Sequence, residues 1–130
     1  MSSTMPSAKT GLLLFAHGAR DPRWSQPFEQ VAAAIRAARP EQPVRLAYLD
    51  FMAPDLRTEA TGLFSLLRNQ VEVLPLFLGA GGHVRQDLPP LLDELRARHA
   101  GVGFTLHAAV GEAPALVAAM AGIALSLPTR

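Results

Sequence analysis

Four times along the chain a short apolar run gives way to a polar turn and then to a segment with helical spacing. The runs are GLLLFA (Gly11–Ala16), VRLAYL (Val44–Leu49), VEVLPLFL (Val71–Leu78) and GFTLHAAV (Gly103–Val110). In the first the apolarity is continuous rather than alternating, the pattern of a strand buried on both faces of a parallel sheet. Between them lie helical segments at Trp24–Ala38, 53–70 and Val84–His99, with a closing one at Ala113–Leu125. In the first, Phe28, Val31, Ala32 and Ile35 share one side, and Pro27 suits the first turn. The third carries Pro89 and Pro90, which fit a helix only near its beginning. Pro75 is awkward for a central strand. The alternation predicts an α/β domain with a flavodoxin-like, open, mainly parallel four-stranded sheet. Right-handed crossovers put helices on both of its faces.

A chain of 130 residues has room for one such domain. Residues 1–10 read as a flexible leader and 11–130 as the single domain. Hydrophobic residues make up 49% and charged residues 18%, enough for a core and too apolar for disorder. The net charge of +1 gives no bulk attraction to nucleic acid or membrane. The absence of cysteine excludes disulfides, thiolate metal sites and a thiol nucleophile. No signal peptide is recognisable and no apolar run approaches the ~20 residues of a membrane span. A cytoplasmic protein is the expectation.

Open α/β sheets bind ligands beyond the carboxyl ends of their strands. His17 follows the first strand, Asp50 the second and His83 the third, equally spaced at one strand–helix repeat each. Two imidazoles and a carboxylate on one rim suit a divalent ion of the Co²⁺, Ni²⁺, Fe²⁺ or Zn²⁺ type. Each has a plainer reading: the histidines as loop residues, Asp50 as a cap of the helix near Ala53. His99, closing a helix, and His107, at the fourth strand, read as structural. The glycines of GAGGH (Gly79, Gly81, Gly82) either permit positive φ or let a flat ligand approach the backbone. The turn has neither the phosphate-loop nor the dinucleotide fingerprint, and no G-x-S-x-G elbow occurs. Arg20, Arg23 and Arg85 gather near the same rim, where guanidinium forks would suit a ligand with several carboxylates.

The segments LLLFAHGARDPRWSQPFEQVA, LAYLDFMAPDL and VEVLPLFLGAGGHVRQDLPPLL together resemble the CbiX type of sirohydrochlorin chelatase, over about residues 11–112. The third segment is the most specific, and the ordered set carries the resemblance. The length is similar to the short form, in which each chain supplies one lobe and a homodimer the pair. The resemblance implies a lyase that inserts Co²⁺, Fe²⁺ or Ni²⁺ into sirohydrochlorin, an early tetrapyrrole of cobalamin and sirohaem biosynthesis. The metal is then substrate, and no cofactor is permanently bound. The resemblance assigns metal contact to His17 and His83 and an assisting acid to Asp50. Two positions depart from the family pattern. Glutamate is common where Asp50 stands, one methylene shorter, and Ala19 replaces the serine of His-Gly-Ser-Arg. A carrier that binds metal or tetrapyrrole in the same cleft without inserting one into the other is the alternative. A metal-dependent hydrolase is disfavoured, because no second carboxylate-rich motif is present.

Overall fold

Strand β1 (Thr10–Ala16) has a partner on each side. It pairs in parallel with β2 (Val44–Tyr48) and with β3 (Gln70–Pro75), and β3 pairs in parallel with β4 (Gly103–Leu106). The sheet order is β2-β1-β3-β4. The structure, a computed structural model, describes residues 10–49, 54–65, 69–79 and 82–129; the side chains of residues 56, 57, 64, 65, 83–85 and 87 are not described. The leader expected at the N-terminus thus lies almost wholly outside the described residues. Helices α1 (Gln26–Ala38), α2 (Leu56–Ser65), α3 (Gly82–Arg98) and α4 (Pro114–Leu125) complete the domain.

The continuous apolarity of β1 follows from its central place. Leu13 and Phe15 point to one face and join Val71, Val73 and Phe77 of the β3 segment under Ala60 and Leu63 of α2 and Leu88, Leu92 and Leu95 of α3. Leu14 points to the other face, against Ala32 of α1 and Val44 of β2. Each fully buried Leu or Phe contributes roughly 1.5–3 kcal/mol by leaving water. α1 therefore covers one face, and α2 and α3 the other, as the alternation predicted.

Two proline positions are explained by the register. Pro75 ends β3 where pairing with β4 has stopped, at Val73 opposite Leu106. Its missing N–H faces the β4 side, beyond the last bond from the His107 N–H to the Val73 carbonyl at 2.9 Å, while on the β1 side the Leu76 N–H donates to the Phe15 carbonyl at 2.7 Å. Pro89 and Pro90 depart from expectation. α3 begins at Gly82, inside the glycine turn, so both prolines lie within the helix rather than at its start. Neither can donate to the carbonyl four residues earlier. The first turns of α3 are thus joined to its core-packed part by a stretch lacking two helical bonds.

Both edge strands are closed by an arginine. Arg36 of α1 donates to the Val44 carbonyl of β2 from Nη2 at 2.7 Å and Nε at 3.2 Å. Arg96 of α3 donates from Nη2 to the Phe104 carbonyl of β4 at 2.7 Å. In parallel strands the alternation of backbone groups turns these carbonyls away from the sheet. Each guanidinium occupies the place a foreign strand would take.

Candidate functional site

His17 is the first residue beyond β1, and Gly18 after it has φ of 89°. Glycine takes that left-handed conformation without strain, so the chain can turn sharply after the imidazole. The His17 side chain is exposed to solvent. One face of its ring lies on Phe77, with centroids 4.2 Å apart and planes at 35°. Phe77 in turn is buried and stands 5.8 Å from Phe15. The imidazole is thus backed by core on one side and open on the other.

Backbone hydrogen bonds tie the strand ends into a rim. The Leu49 N–H donates to the Ala16 carbonyl at 2.9 Å, Leu76 to Phe15 at 2.7 Å and Gly111 to Phe77 at 2.9 Å. Asp50, next after Leu49, lies outside the described residues, as does Gly81. The cap of α2 is Asp55, whose Oδ1 accepts from the Thr58 N–H at 2.9 Å.

With the order β2-β1-β3-β4, the chain leaves β1 in one direction and crosses back past it to reach β3. The reversal falls between β1 and β3, the position where open α/β sheets bind ligands. His17 stands on one side of it and the glycine turn on the other. Gly79 lies exposed in that turn, and a side chain there would meet nothing within 4 Å. Gly82 opens α3, with His83 and Arg85 in the first turn. The side chains of those two lie outside the described part. The start of α3 directs backbone N–H groups and a partial positive charge toward the rim, which favours an anionic ligand.

Arg20 and Arg23 are both exposed on the segment after β1. Arg23 already holds a carboxylate, donating from Nη2 to Asp21 at 2.8 Å and from Nε at 3.2 Å. Its guanidinium keeps Asp21 below the ordinary carboxylate range, and Asp21 raises Arg23 in return. Trp24 follows in a 3₁₀ turn (Pro22–Ser25) and packs on Phe28 at 4.6 Å and toward Tyr48 at 6.5 Å. This aromatic group fixes the segment to the end of β2. Burial pushes the Tyr48 phenol up, opposed by Ser25, so it stays neutral.

Among the described residues no three His, Asp or Glu side chains come together to hold a metal ion. His17 is the described member of the expected set. His107 and His99 have structural partners. His107 Nε2 lies 2.6 Å from Glu72 Oε1, and the His99 ring faces Phe104 at 6.4 Å. A groove of ≈ 460 Å³ runs along β2 between Glu29, Arg36, Arg45, Tyr48 and Glu59, and among the described residues none of the expected site residues borders it.

Three contributors escaped sequence reading. Phe77 sits in an apolar run and looks like any core residue; only the β1–β3 register brings it under His17. Gly18 is marked by its place after His17. Gly111 carries no local signal, yet a methyl there would overlap the Leu78 carbonyl, so glycine is what lets the β4 loop support the β3 turn.

A doubly wound, parallel α/β domain with an exposed histidine and a glycine turn flanking its switch point belongs to the ligand-binding open-sheet proteins. More narrowly, the chain belongs to the CbiX family, whose model matches residues 11–123. It is 30% identical over 95 residues to a sirohydrochlorin cobaltochelatase of Saccharolobus islandicus, covering 70% of this chain and 73% of that one. A second sirohydrochlorin cobaltochelatase, of Methanococcoides burtonii, is 24% identical over 86 residues, or 66% of each chain. Among solved structures, a CbiX protein from Marinobacter aquaeolei VT8 superposes with a TM-score of 0.80 at 32% identity, covering 89% of this chain and 94% of that one. SirB from Bacillus subtilis with Fe³⁺ shares the fold at a TM-score of 0.76 and 20% identity; 92% of this chain spans 48% of SirB. No helix among the described residues is long and apolar enough to cross a membrane.

Proposed function

We propose that the chain inserts a divalent metal, Co²⁺ or Fe²⁺ with Ni²⁺ as a third candidate, into sirohydrochlorin, and that it works as a cytoplasmic homodimer. The observation that carries this reading is the exposed imidazole of His17 at the switch point, across from the turn that leads to His83. Membership of the CbiX family and the names of its sirohydrochlorin cobaltochelatase relatives support the substrate.

In this reading His17 and His83 hold the metal on one side of the macrocycle. The carboxylates of the macrocycle lie toward Arg20, Arg23, Arg85 and the start of α3. Gly79, Gly81 and Gly82 let the flat ring come close. Arg23 exchanges Asp21 for the ligand at little cost, because the pair is on the surface. Two pyrrole protons must leave as the metal enters. A neutral imidazole or Asp50 accepts them, a form of catalysis typically worth about 10²–10⁴-fold. The metal must be released into product, so ligation stays loose rather than closed as in structural sites. One small lobe offers little surface to enclose a macrocycle, and pockets bury most of their ligand. The chain spans about half of SirB, which fits a second lobe supplied by a second copy.

The test is metal insertion followed by the visible spectrum of the tetrapyrrole, with Co²⁺, Fe²⁺ and Ni²⁺ assayed side by side. His17→Ala and His83→Ala are expected to lose at least 100-fold in rate. Rates unchanged in both variants would refute the mechanism. Multiple turnovers with excess substrate separate an enzyme from a carrier, which would stop at one equivalent.

A further inference from the structure

The strand ends that form the rim carry unlike surfaces. At β3 the exposed Gly79 leaves the turn bare, and at β1 the exposed ring of His17 stands on Phe77. At β2 the surface is aromatic. Trp24, the only tryptophan of the chain, packs on Phe28 at 4.6 Å and toward Tyr48 at 6.5 Å, and it is only partly buried. Tyr48 ends β2 and stands opposite Ala16 in the register. The indole beside it is therefore set near the level of the strand end from which His17 departs.

The turn that presents the indole is held at several points. Pro22 fixes φ at its start. Asp21 accepts from the Arg23 N–H through Oδ1 at 2.9 Å and from the Trp24 N–H through its carbonyl at 3.0 Å. Ser25, next to Trp24 and buried, places its hydroxyl 3.0 Å from the Pro22 carbonyl and 2.7 Å from Glu29 Oε2. This anchoring fixes the backbone on which the indole stands.

Packing alone does not account for a tryptophan at this position. Phe28 and Tyr48 leave part of the ring in water, and among the described residues no group accepts a hydrogen bond from the indole N–H. Tryptophan joins a broad apolar face to a single donor, and it suits contacts that are apolar at one end and wet at the other. Arg20 and Arg23, both exposed, add two guanidiniums on the same short connection. A flat ligand with an apolar face and carboxylates at its margin answers both features. Its face meets the indole, and its carboxylates meet the N–H and the guanidiniums.

Adjacent strands lie ~5 Å apart, so a macrocycle centred over the end of β1 reaches the ends of both neighbours. Toward β3 it meets bare backbone, and toward β2 the aromatic group. Deepening the chelatase reading above, on which it rests, we infer that Trp24 is a contact of the tetrapyrrole. The indole supports the edge of the macrocycle over β2 and donates its N–H to a carboxylate there, while His17 faces the centre. Its part is recognition. Trp24 takes no proton and holds no metal, so it sets how tightly the ring binds rather than how fast the metal enters it.

Titration of sirohydrochlorin without metal, followed by its visible spectrum, is the central test. Trp24→Leu is expected to bind about 10-fold more weakly, the scale of a lost apolar contact in a binding site. Trp24→Phe, which keeps a ring but no donor, is expected to fall between. Co²⁺ binding without tetrapyrrole, followed by calorimetry, is expected to stay unchanged in both. In insertion assays KM is expected to rise with kcat held. Fluorotryptophan at the single tryptophan position gives one fluorine resonance, which the ring current of a stacked macrocycle is expected to shift. Circular dichroism checks that the variants fold; if Trp24→Leu does not, Trp24→Phe and the resonance carry the test. Equal affinity for sirohydrochlorin in the variants and the unmodified protein, or a resonance unmoved at saturation, would overturn the contact. So would a loss of Co²⁺ affinity as large as the loss for sirohydrochlorin, which would make Trp24 a prop for the connection after β1. A protein that binds sirohydrochlorin through Trp24 yet inserts no metal would overturn the chelatase reading and leave the contact standing. An unmodified protein that does not bind sirohydrochlorin would overturn both.

Discussion

The imidazole of His17 lies on the ring of Phe77, with centroids 4.2 Å apart, although two strands' worth of chain and two helices intervene between them in the sequence. Phe77 is a core residue on one side and the floor of the candidate site on the other. It restricts the rotamers open to His17 and keeps water from one face of the ring.

Replacing Phe77 by leucine should keep most of the apolar volume and remove the ring contact. Binding of Co²⁺ to the unliganded protein, followed by calorimetry, is expected to weaken several-fold with the circular dichroism unchanged. Phe77→Ala should instead cost about 3–5 kcal/mol in denaturant unfolding, because it leaves a cavity as well.

Glu72 titrates under the influence of His107. The hydrogen bond from His107 holds its carboxyl below the usual value, against desolvation by burial, with Gln70 helping. A carboxyl lowered in the folded state stabilises the fold above its unfolded value, about pH 4.3. That stabilisation is lost as pH falls through the lower folded value. Thermal melts from pH 7 down to pH 3 should show Glu72→Gln less stable at neutral pH, by at most about 1 kcal/mol for so accessible a pair. The two proteins should converge at the acid end.

Gly111→Ala tests the support of the β3 turn. The added methyl would overlap the backbone carbonyl of Leu78, which cannot swing aside as a side chain would. Overpacking of this kind typically costs about 1–3 kcal/mol. Urea unfolding should show that loss. Amide exchange should rise around Leu78 and Gly79 more than in α1.

Arg36→Met and Arg96→Met each uncover one edge carbonyl, at Val44 and Phe104. Both side chains are long and flexible, so the fold should persist. Light scattering on heating is expected to rise earlier in the double variant than in either single one, because open edges invite strand pairing between molecules.

Much of the architecture was legible in the sequence because burial on both faces leaves a plain mark. The continuous apolarity of Leu12–Ala16 requires helices above and below. The strand order was less accessible, since alternation alone leaves open which way each crossover turns. The Pro89–Pro90 pair was misplaced because a glycine turn looks like loop, whereas Gly82 already belongs to α3. At the site, His17 was legible from its position after a strand. Phe77 was not, because its role arises from pairing between β1 and β3. Asp50 also read as a helix cap, and it lies outside the described residues. α4 was legible as a closing helix, but a sequence apolar all round does not say which surface will take it.

The central place of β1 also shapes how the molecule must assemble. Strand β1 leaves the ribosome well before its second neighbour, from Gln70 to Pro75, which lies downstream beyond α1, β2 and α2. Until that stretch has emerged, Leu13 and Phe15 have no lasting shelter, and such distant pairings form slowly. The nascent chain therefore passes through a period of exposed β1, in which holdase chaperones would find their target in that strand.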